Sequence, residues 1–329
     1  MAITMISVLI PTLNNEQTIG ACLESIQKQS LKPDEIIVID GYSSDKTVEI
    51  ARKYKCNILF EERRTRAAAC NTGLRNATGD IIIFTDGDCI AKENWIEELI
   101  KSFECNEDGS IVAITGPNVE YPKESLFGKA VNAIYSSLIG GRWSEQSQSI
   151  FNMKPRYVKS AAGCNVAYRR KCFDEVGLFN EDLITAEDSE FNFRLREKGY
   201  KIYFNPSAVV YHRRPQNHKS FRNKARRYAE GKVQVFRIHQ HGINAWHLLP
   251  PFYISLLVLL AFGSIFQTEL LYCFLFVFGT YVLSVLVSTI VSAIRYRKIQ
   301  FLYLLPVMYI EGHLWWSIGI FSKIFGVNK

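Results

Sequence analysis

The sequence predicts an α/β domain built on a mostly parallel sheet, followed by an all-α membrane domain. Three observations predict it. Short β-branched runs alternate with amphipathic stretches through the first part of the chain, charge almost vanishes from residue 248 onward, and a dense basic block separates the two regimes.

The elements follow in order. Residues 7–11 are an apolar run closed by Pro11, with no basic segment before it, which suits a first strand and indicates no signal peptide. Residues 16–29 carry Ile19, Leu23 and Ile26 at helical spacing, and residues 35–40 are again a β-branched run. A short helix over 47–54, a strand over 58–60, a helix over 67–77 and a strand over 81–85 come next, then a helix over 95–104 and a strand over 111–115. Such alternation gives parallel strands covered by helices, and open sheets of this kind bind ligands beyond the carboxyl ends of their strands, where Asp40 and Asp86 fall. Residues 123–140 carry Leu126, Phe127, Ala130, Ile134 and Leu138 at helical spacing, suited to packing on the core or grazing lipid, whereas 142–159 are polar and irregular, as in a loop beside a site. Another apolar strand ends in Val209-Val210-Tyr211-His212. Residues 248–266, 270–294 and 301–320 are each near the length that crosses a bilayer, so about three spans are expected. The chain therefore divides into a domain over 1–212, a basic juxtamembrane segment over 213–247 and a membrane domain over 248–329.

The formal charge of +7 is concentrated in that juxtamembrane segment, from Arg213 and Arg214 through Arg222, Arg226 and Arg227 to Arg237. A basic block beside a span is the positive-inside signature, and it places the preceding domain at the cytoplasmic face of a multi-pass membrane protein. Nucleic acid is the competing use of such charge, but no nucleic-acid motif accompanies it. Phe221, Ala225, Tyr228 and Val235 share one helical face, so this segment is expected to lie along the interface. Within the third apolar stretch Glu311 and His313 are costly in hydrocarbon; they are expected to pack against the other spans, with contact to a lipid headgroup as the alternative. The eight cysteines form no Cys-x-x-Cys pair and no zinc spacing, as expected of free thiols in a reducing cytosol.

Chemistry concentrates at Asp86-Gly87-Asp88, which closes the apolar run over 81–85. Residues two apart on an extended chain share a face, so the two carboxylates can converge on a hard cation, Mg²⁺ or Mn²⁺, that also takes phosphate oxygens. An isolated Asp-Gly-Asp is more simply an ordinary turn, and only the surroundings can reverse that reading. No Gly-x-Gly-x-x-Gly follows the first strand, no Gly-x-x-x-x-Gly-Lys follows any strand, and no Gly-x-Ser-x-Gly occurs. Instead the first strand runs into Pro11-Thr12-Leu13-Asn14-Asn15-Glu16 and the second into Asp40-Gly41-Tyr42-Ser43-Ser44-Asp45-Lys46-Thr47.

These segments, with Asn71-Thr72-Gly73, Asp86-Gly87-Asp88, Gly163-Cys164-Asn165 and Glu187-Asp188, resemble in order and spacing the family 2 inverting glycosyltransferases with the Rossmann-like GT-A fold. With its C-terminal helices the chain is similar to lipid-linked glycan or dolichol/polyprenyl-phosphate glycosyltransferases. The resemblance covers roughly residues 5–230 and implies a nucleotide-sugar donor, a polyprenyl or dolichyl lipid acceptor and a divalent metal. On the donor side it implies that Pro11, Thr12, Asn14, Glu16 and Asp40 hold base and ribose, that Arg66 and Asn71 contact nucleotide or order the loop, and that Asp86 meets ribose or the ion. Asp45 and Thr47 are expected to cap the next helix instead. Cys70 stands where many relatives have Arg, so a usual cation is missing, and Arg66, one turn earlier, is the residue that could replace it. Asp88 is implied as the direct metal ligand, with Asp86 and His212 beside it, and a lone His has a structural role as its alternative.

By the same resemblance Asp188 is the general base, Glu187 orients it or binds acceptor, and Gly163, Cys164 and Asn165 line the sugar and acceptor site. Arg213, Arg222, Arg226 and Arg227 could meet a lipid phosphate, or simply anionic headgroups. The expected reaction is transfer to a lipid-linked saccharide, with polyprenyl-phosphate monosaccharide synthesis as the alternative and a catalytically silent sugar-nucleotide or lipid-binding protein as the rival of another class. The Gln-x-x-Arg-Trp of processive synthases is absent.

Overall fold

The computed structural model describes residues 5–104, 109–141 and 153–326. In chain order the elements are β1 (Ile6–Thr12), α1 (Ile19–Gln27), β2 (Glu35–Asp40), α2 (Thr47–Ala51), β3 (Asn57–Phe60), α3 (Arg66–Asn76), β4 (Ile81–Thr85), β5 (Cys89–Ala91), α4 (Trp95–Glu104), β6 (Ile111–Thr115) and β7 (Asn118–Glu120). Then follow α5 (Leu126–Tyr135), β8 (Arg156–Val158), β9 (Asn165–Arg169), α6 (Lys171–Val176), α7 (Glu187–Glu197), β10 (Lys201–Phe204), β11 (Val210–His212), α8 (His218–His239), α9 (Ala245–Gly263), α10 (Thr268–Tyr296) and α11 (Phe301–Ile324). The chain forms two units, Met1–Lys123 with Gln148–Arg213, and Glu124–Ser147 with Arg214–Lys329.

The first unit carries an eight-stranded sheet in the order β3-β2-β1-β4-β9-β6-β10-β8. β3, β2, β1 and β4 run parallel, as βαβ alternation requires, and β6 and β10 are parallel to each other. β9 lies antiparallel between β4 and β6, and β8 lies antiparallel at the edge. Alternate strand residues feed two cores. Val8, Ile10, Val38 and Ile83 pack with Ile19, Leu23, Trp95 and Leu99 on one face, while Leu9, Ile37, Ile82 and Phe84 pack with Leu74, Phe173, Phe179 and Phe191 on the other. Because both faces are covered, the central strands are apolar without alternation, which is what made them legible as continuous runs. A second, three-stranded sheet, β5-β11-β7, stands apart from the first.

Within the same unit the loop expected over 142–159 is in part a strand: Arg156–Val158 pairs with β10, and residues 142–152 lie outside the described residues. Asn165 is fully buried. Its Oδ1 accepts from Trp95 Nε1 at 2.8 Å, its Nδ2 donates to the carbonyls of Pro117 and Ala208, and its carbonyl accepts from Thr115 Oγ1 at 2.6 Å. Both ends of its amide, expected to line the sugar and acceptor site, are taken in fastening β9 to its neighbours.

In the second unit α8 begins with a capping box at Asn217 and Ser220, and α9 with one at Asn244 and His247. Two helices, α9 and α10, are long and apolar enough to cross a membrane, and only 6% of either apolar window is buried. The expected third stretch forms α11 but does not meet that standard among the described residues. It is bound into the unit instead: Phe301, Leu305, Met308 and Tyr309 are buried, Glu311 lies 2.6 Å from His218 Nδ1, and His313 meets Tyr281 Oη at 2.9 Å and the Ile139 carbonyl at 2.8 Å. Glu311 and His313 therefore serve packing, and α5 shares a core with α10 and α11. The expected single face of α8 also divides, since Phe221 and Val235 are buried whereas Tyr228 is exposed.

Replacing Asn165 with Ala strands the Trp95 donor and two buried carbonyls, and the expected loss is about 2–3 kcal/mol. Thermal unfolding of the full chain, followed by tryptophan fluorescence, should show a midpoint several degrees lower; an unchanged midpoint would refute the fastening role.

Candidate active site

β1 and β2 end side by side, with Thr12 in register with Asp40. The loops that follow are laced together: Asn14 N–H donates to Ser43 Oγ at 2.8 Å, Ser44 N–H to Asn14 Oδ1 at 2.8 Å, Asn15 N–H to Thr47 Oγ1 at 2.7 Å and Glu16 N–H to Asp45 Oδ2 at 3.1 Å. Short polar side chains allow this because their donors and acceptors lie close to the backbone. Pro11 is buried within β1, and Thr12 Oγ1 donates to Asn15 Oδ1 at 2.8 Å. The cap position of α2 is Lys46, without a side-chain cap bond; Asp45 accepts from Thr47 N–H and Oγ–H and joins the lacing. Asp40 is fully buried, and its carboxylate accepts from Ser43 N–H at 2.7 Å and Ser43 Oγ–H at 2.6 Å. This turn holds Tyr42 at φ 56°, with its exposed ring 5.4 Å from that of Phe60.

Asp86 leaves β4 toward the same strand ends. Arg66, the first residue of α3, donates Nε and Nη2 to Asp86 Oδ1 at 3.1 and 2.8 Å, and Nη1 to Glu187 Oε1 at 2.9 Å. Nη1 also lies 3.7 Å from Cys70 Sγ, so Arg66 does bring a cation to the place beside Cys70. That cation is directed at two carboxylates of the chain itself. Burial pushes the Asp86 and Glu187 carboxyls above their ordinary values and Arg66 pulls them part of the way back, while these acids outweigh burial and hold the guanidinium well above its own. Of the two expectations for Asn71, the contacts seen are those of ordering a loop: it is buried, donates to Phe179 O and Glu181 Oε1, and accepts from Phe179 N–H, which ties down the loop before α7.

The small sheet supplies the third metal-capable group. β5 and β11 pair antiparallel with Cys89 opposite His212, and this register brings His212 Nε2 within 3.5 Å of Asp88 Oδ1. Asp86, Asp88 and His212 each offer a ligand atom within 4.8 Å of the others. Arg66 engages only Oδ1 of Asp86, so two carboxylates and an imidazole form a donor set that fits a divalent ion. Burial pushes the His212 imidazole down in pKa, but the Cys164 and Asp88 charges outweigh it and raise the value to about 9. Gly87 is required between the aspartates, because a Cβ there would lie 2.7 Å from Thr12 Oγ1.

Glu187 and Asp188 open α7 after Ala186, whose φ of 67° is left-handed. Asp188 Oδ2 accepts from Gly163 N–H at 2.9 Å, and its Oδ1 from Ser189 N–H at 2.6 Å. A Cβ at Gly163 would lie 2.5 Å from Arg66 Nη1, so this glycine lets the loop approach the guanidinium. Cys164 is buried with its Sγ 3.8 Å from His212 Nδ1. Arg213 N–H donates to the Asp88 carbonyl at 3.1 Å. Arg222, Arg226 and Arg227 belong to the other unit, where Arg226 pairs with Glu230 at 2.7 Å, Arg222 lies 4.0 Å from Glu311, and Arg227 is exposed.

Sequence reasoning missed the Tyr42–Phe60 pair and the Arg66 bridge. The first had a faint signal, an aromatic residue directly after Asp40-Gly41 at a strand end. The second had the four-residue offset between Arg66 and Cys70, but its partners lie 20 and 121 residues away.

The centre thus joins an acidic pair at a strand end of an α/β sheet to a second at a helix start through one arginine. The profile of glycosyl transferase family 2 matches residues 7–177, and the chain belongs to that family. A dolichyl N-acetyl-alpha-D-glucosaminyl phosphate 3-beta-D-2,3-diacetamido-2,3-dideoxy-beta-D-glucuronosyltransferase of Methanococcus voltae is 25% identical over 98% of both chains. Glycosyltransferase AglE of Haloferax volcanii is 28% identical over 74% of both. A poly-beta-1,6-N-acetyl-D-glucosamine synthase of Staphylococcus aureus is 28% identical over 70% of this chain and 55% of its own length. Among solved structures, the mannosyltransferase PcManGT from Pyrobaculum calidifontis, in complex with GDP-Man and Mn²⁺, superposes with a TM-score of 0.63 at 19% identity, covering 99% of this chain and 88% of that one, and shares the GT-A fold.

Arg66→Met leaves Asp86 and Glu187 without their cation, and should cost roughly 2–4 kcal/mol of stability. Adding Glu187→Gln should return part of that loss in thermal unfolding. If the double variant is no more stable than the single one, the bridge is not what binds α3 to α7.

Proposed function

We propose that the chain is a metal-dependent inverting glycosyltransferase, anchored in a membrane, that moves a sugar from a nucleotide-diphosphate sugar to a polyprenyl- or dolichyl-linked saccharide at the cytoplasmic face. The observation that carries this reading is the joining of the two acidic pairs, Asp86-Asp88 and Glu187-Asp188, through Arg66. The relative from Methanococcus voltae, whose name specifies a dolichyl-linked sugar phosphate, supports the acceptor class because its similarity runs through the C-terminal helices.

The laced loops after β1 and β2 hold the nucleoside, with Asp40 shaping the turn that presents the Tyr42 ring for stacking beside Phe60. Asp86, Asp88 and His212 would hold a divalent ion, Mg²⁺ or Mn²⁺. When bound, such an ion supplies Lewis-acid stabilisation for the negative charge of a departing nucleoside diphosphate. Asp188 is the base. The Gly163 N–H fixes Oδ2, and the carboxylate takes the acceptor hydroxyl proton as that oxygen forms its bond to the anomeric carbon on the side opposite the breaking bond. Glu187 is occupied by Arg66, so its part is to orient the start of α7.

The membrane reading rests on α9 and α10. As a hairpin of two spans they leave both basic flanks, Arg222 to Arg237 before α9 and Arg295, Arg297 and Lys298 after α10, on one side. Arg222, Arg226 and Arg227 of the second unit offer charge to phosphate at that surface.

Asp88→Ala should lower transfer from nucleotide sugars by at least about a hundredfold, by analogy with the loss of a single charge-stabilising group. Asp188→Asn should be as severe with a hydroxyl acceptor but milder with a polyprenyl phosphate, already an anion. A donor-by-acceptor screen with radiolabelled nucleotide sugars in detergent, with and without Mn²⁺, measures both. Full activity of Asp88→Ala would overturn the metal role, and equal loss of Asp188→Asn on both acceptors would overturn the choice between them.

A further inference from the structure

Two cysteines beside the aspartates take no part in the transfer just described. Cys89 follows Asp88 directly, Cys164 follows Gly163, and both are buried against His212. We propose that Cys89, Cys164 and His212 form a second metal site, for a thiophilic divalent cation such as Zn²⁺, which shares His212 with the Asp86–Asp88 site.

Each ligand comes from a pinned position. Cys89 and His212 are cross-strand partners in the small sheet, and Cys164 precedes the Asn165 clamp at the start of β9. The two Sγ atoms and one imidazole nitrogen lie within 4.8 Å of one another, with Cys164 Sγ to His212 Nδ1 at 3.8 Å. A tetrahedral ion with bonds of about 2.0 Å to nitrogen and 2.3 Å to sulfur needs ligand separations of roughly 3.5–3.8 Å, so a small inward adjustment suffices. The Nδ1 edge of the ring is the one turned to the thiols, and Asp88 Oδ1 lies on the Nε2 side.

The two sites select by softness. Thiolates with imidazole favour Zn²⁺ over Mg²⁺ or Mn²⁺, whereas a carboxylate pair favours the harder ions. His212 faces both, with Nδ1 toward Cys164 and Nε2 toward Asp88. An ion held at Nδ1 fixes the ring that turns Nε2 toward Asp88, so loading the thiol site alters the hard-ion site and with it the transfer; only this last consequence rests on the proposed function. Buried cysteines are commonly inert small hydrophobes, and Cys22, Cys70 and Cys172 are buried free thiols outside any such cluster. Among the described residues, only Cys89 and Cys164 join a histidine in such a cluster.

The test is Co²⁺ titration of the metal-free full chain in detergent, read by absorbance. Thiolate coordination gives an intense near-ultraviolet charge-transfer band, expected to saturate at one equivalent, to vanish on adding Zn²⁺ and to persist in Cys273→Ser, which removes an exposed thiol. Cys164→Ser and Cys89→Ser should each lose it. No band in the wild type, or an undiminished band in Cys164→Ser, overturns the site. X-ray absorption of the Zn²⁺-loaded wild type needs no variant: two sulfur scatterers near 2.3 Å support the site, and a shell of only nitrogen and oxygen overturns it. Neither readout involves sugar transfer, so a failed metal site leaves the transfer reading standing, and an inactive protein with the band leaves the metal site standing.

Discussion

The Arg66 guanidinium, held between Asp86 and Glu187, is the interaction on which the rest of the centre depends. Its position is otherwise unfavourable. A cation at the first residue of a helix faces the positive end of the helix dipole, and a largely buried guanidinium loses hydration. Two carboxylates reverse both penalties, through two N–H groups directed at one oxygen of Asp86 and a third at Glu187. The consequence is geometric: β4, the start of α3 and the start of α7 are fixed to one planar group. Gly163 then approaches that group without a side chain, and its N–H fixes Asp188 in turn. The Asp86–Asp88 and Glu187–Asp188 pairs are thus held in one frame.

The small sheet adds the other constraint. β5 and β11 have three residues each, and only their register decides which side chain meets Asp88. Alternation along β11 buries Val210 and His212 and turns Tyr211 outward. A shift of one residue would exchange Tyr211 for His212 and dismantle both the carboxylate–imidazole set and the thiol–imidazole set. Burial of Cys89 and Val210 in the main core resists such a slip, so packing of the large domain underwrites the chemistry of the small sheet.

Much of this was legible from residues alone, for physical reasons that differ by element. β4, α4 and β6 fall on the expected boundaries because their apolar residues are sandwiched or one-faced, and such patterns survive in sequence. β8 and β9 were not foreseen: β8 is a polar edge strand, and β9 owes its position to antiparallel pairing with strands far away in sequence. In the site, Asp86, Asp88, Gly163 and Asp188 were named from motif order, and the structure gathers them in one unit. Asn71 was expected to contact nucleotide or order a loop and Asn165 to line the sugar and acceptor site; both fasten buried backbone, and a sequence shows that an amide is present and not which carbonyls surround it.

The same limit explains the third apolar stretch. By composition α11 resembles a span, but a carboxylate in hydrocarbon is tolerated only with a partner, and Glu311 has His218 and Arg222 of α8. A helix tied in this way along α8 has its apolar side turned into the unit, where Phe301, Leu305 and Met308 are buried. α9 and α10 have no such cover: Leu259, Phe276 and Ile294 are each about 70% exposed. Apolar area of that extent is unfavourable in water by about 25 cal/mol per Å², so these two helices need an apolar surrounding that α11 already finds within the protein. Two helices apolar on their exposed faces, and a third bound to α8 in the same unit, reconcile the apolar composition of all three stretches with the carboxylate that only α11 carries at its centre.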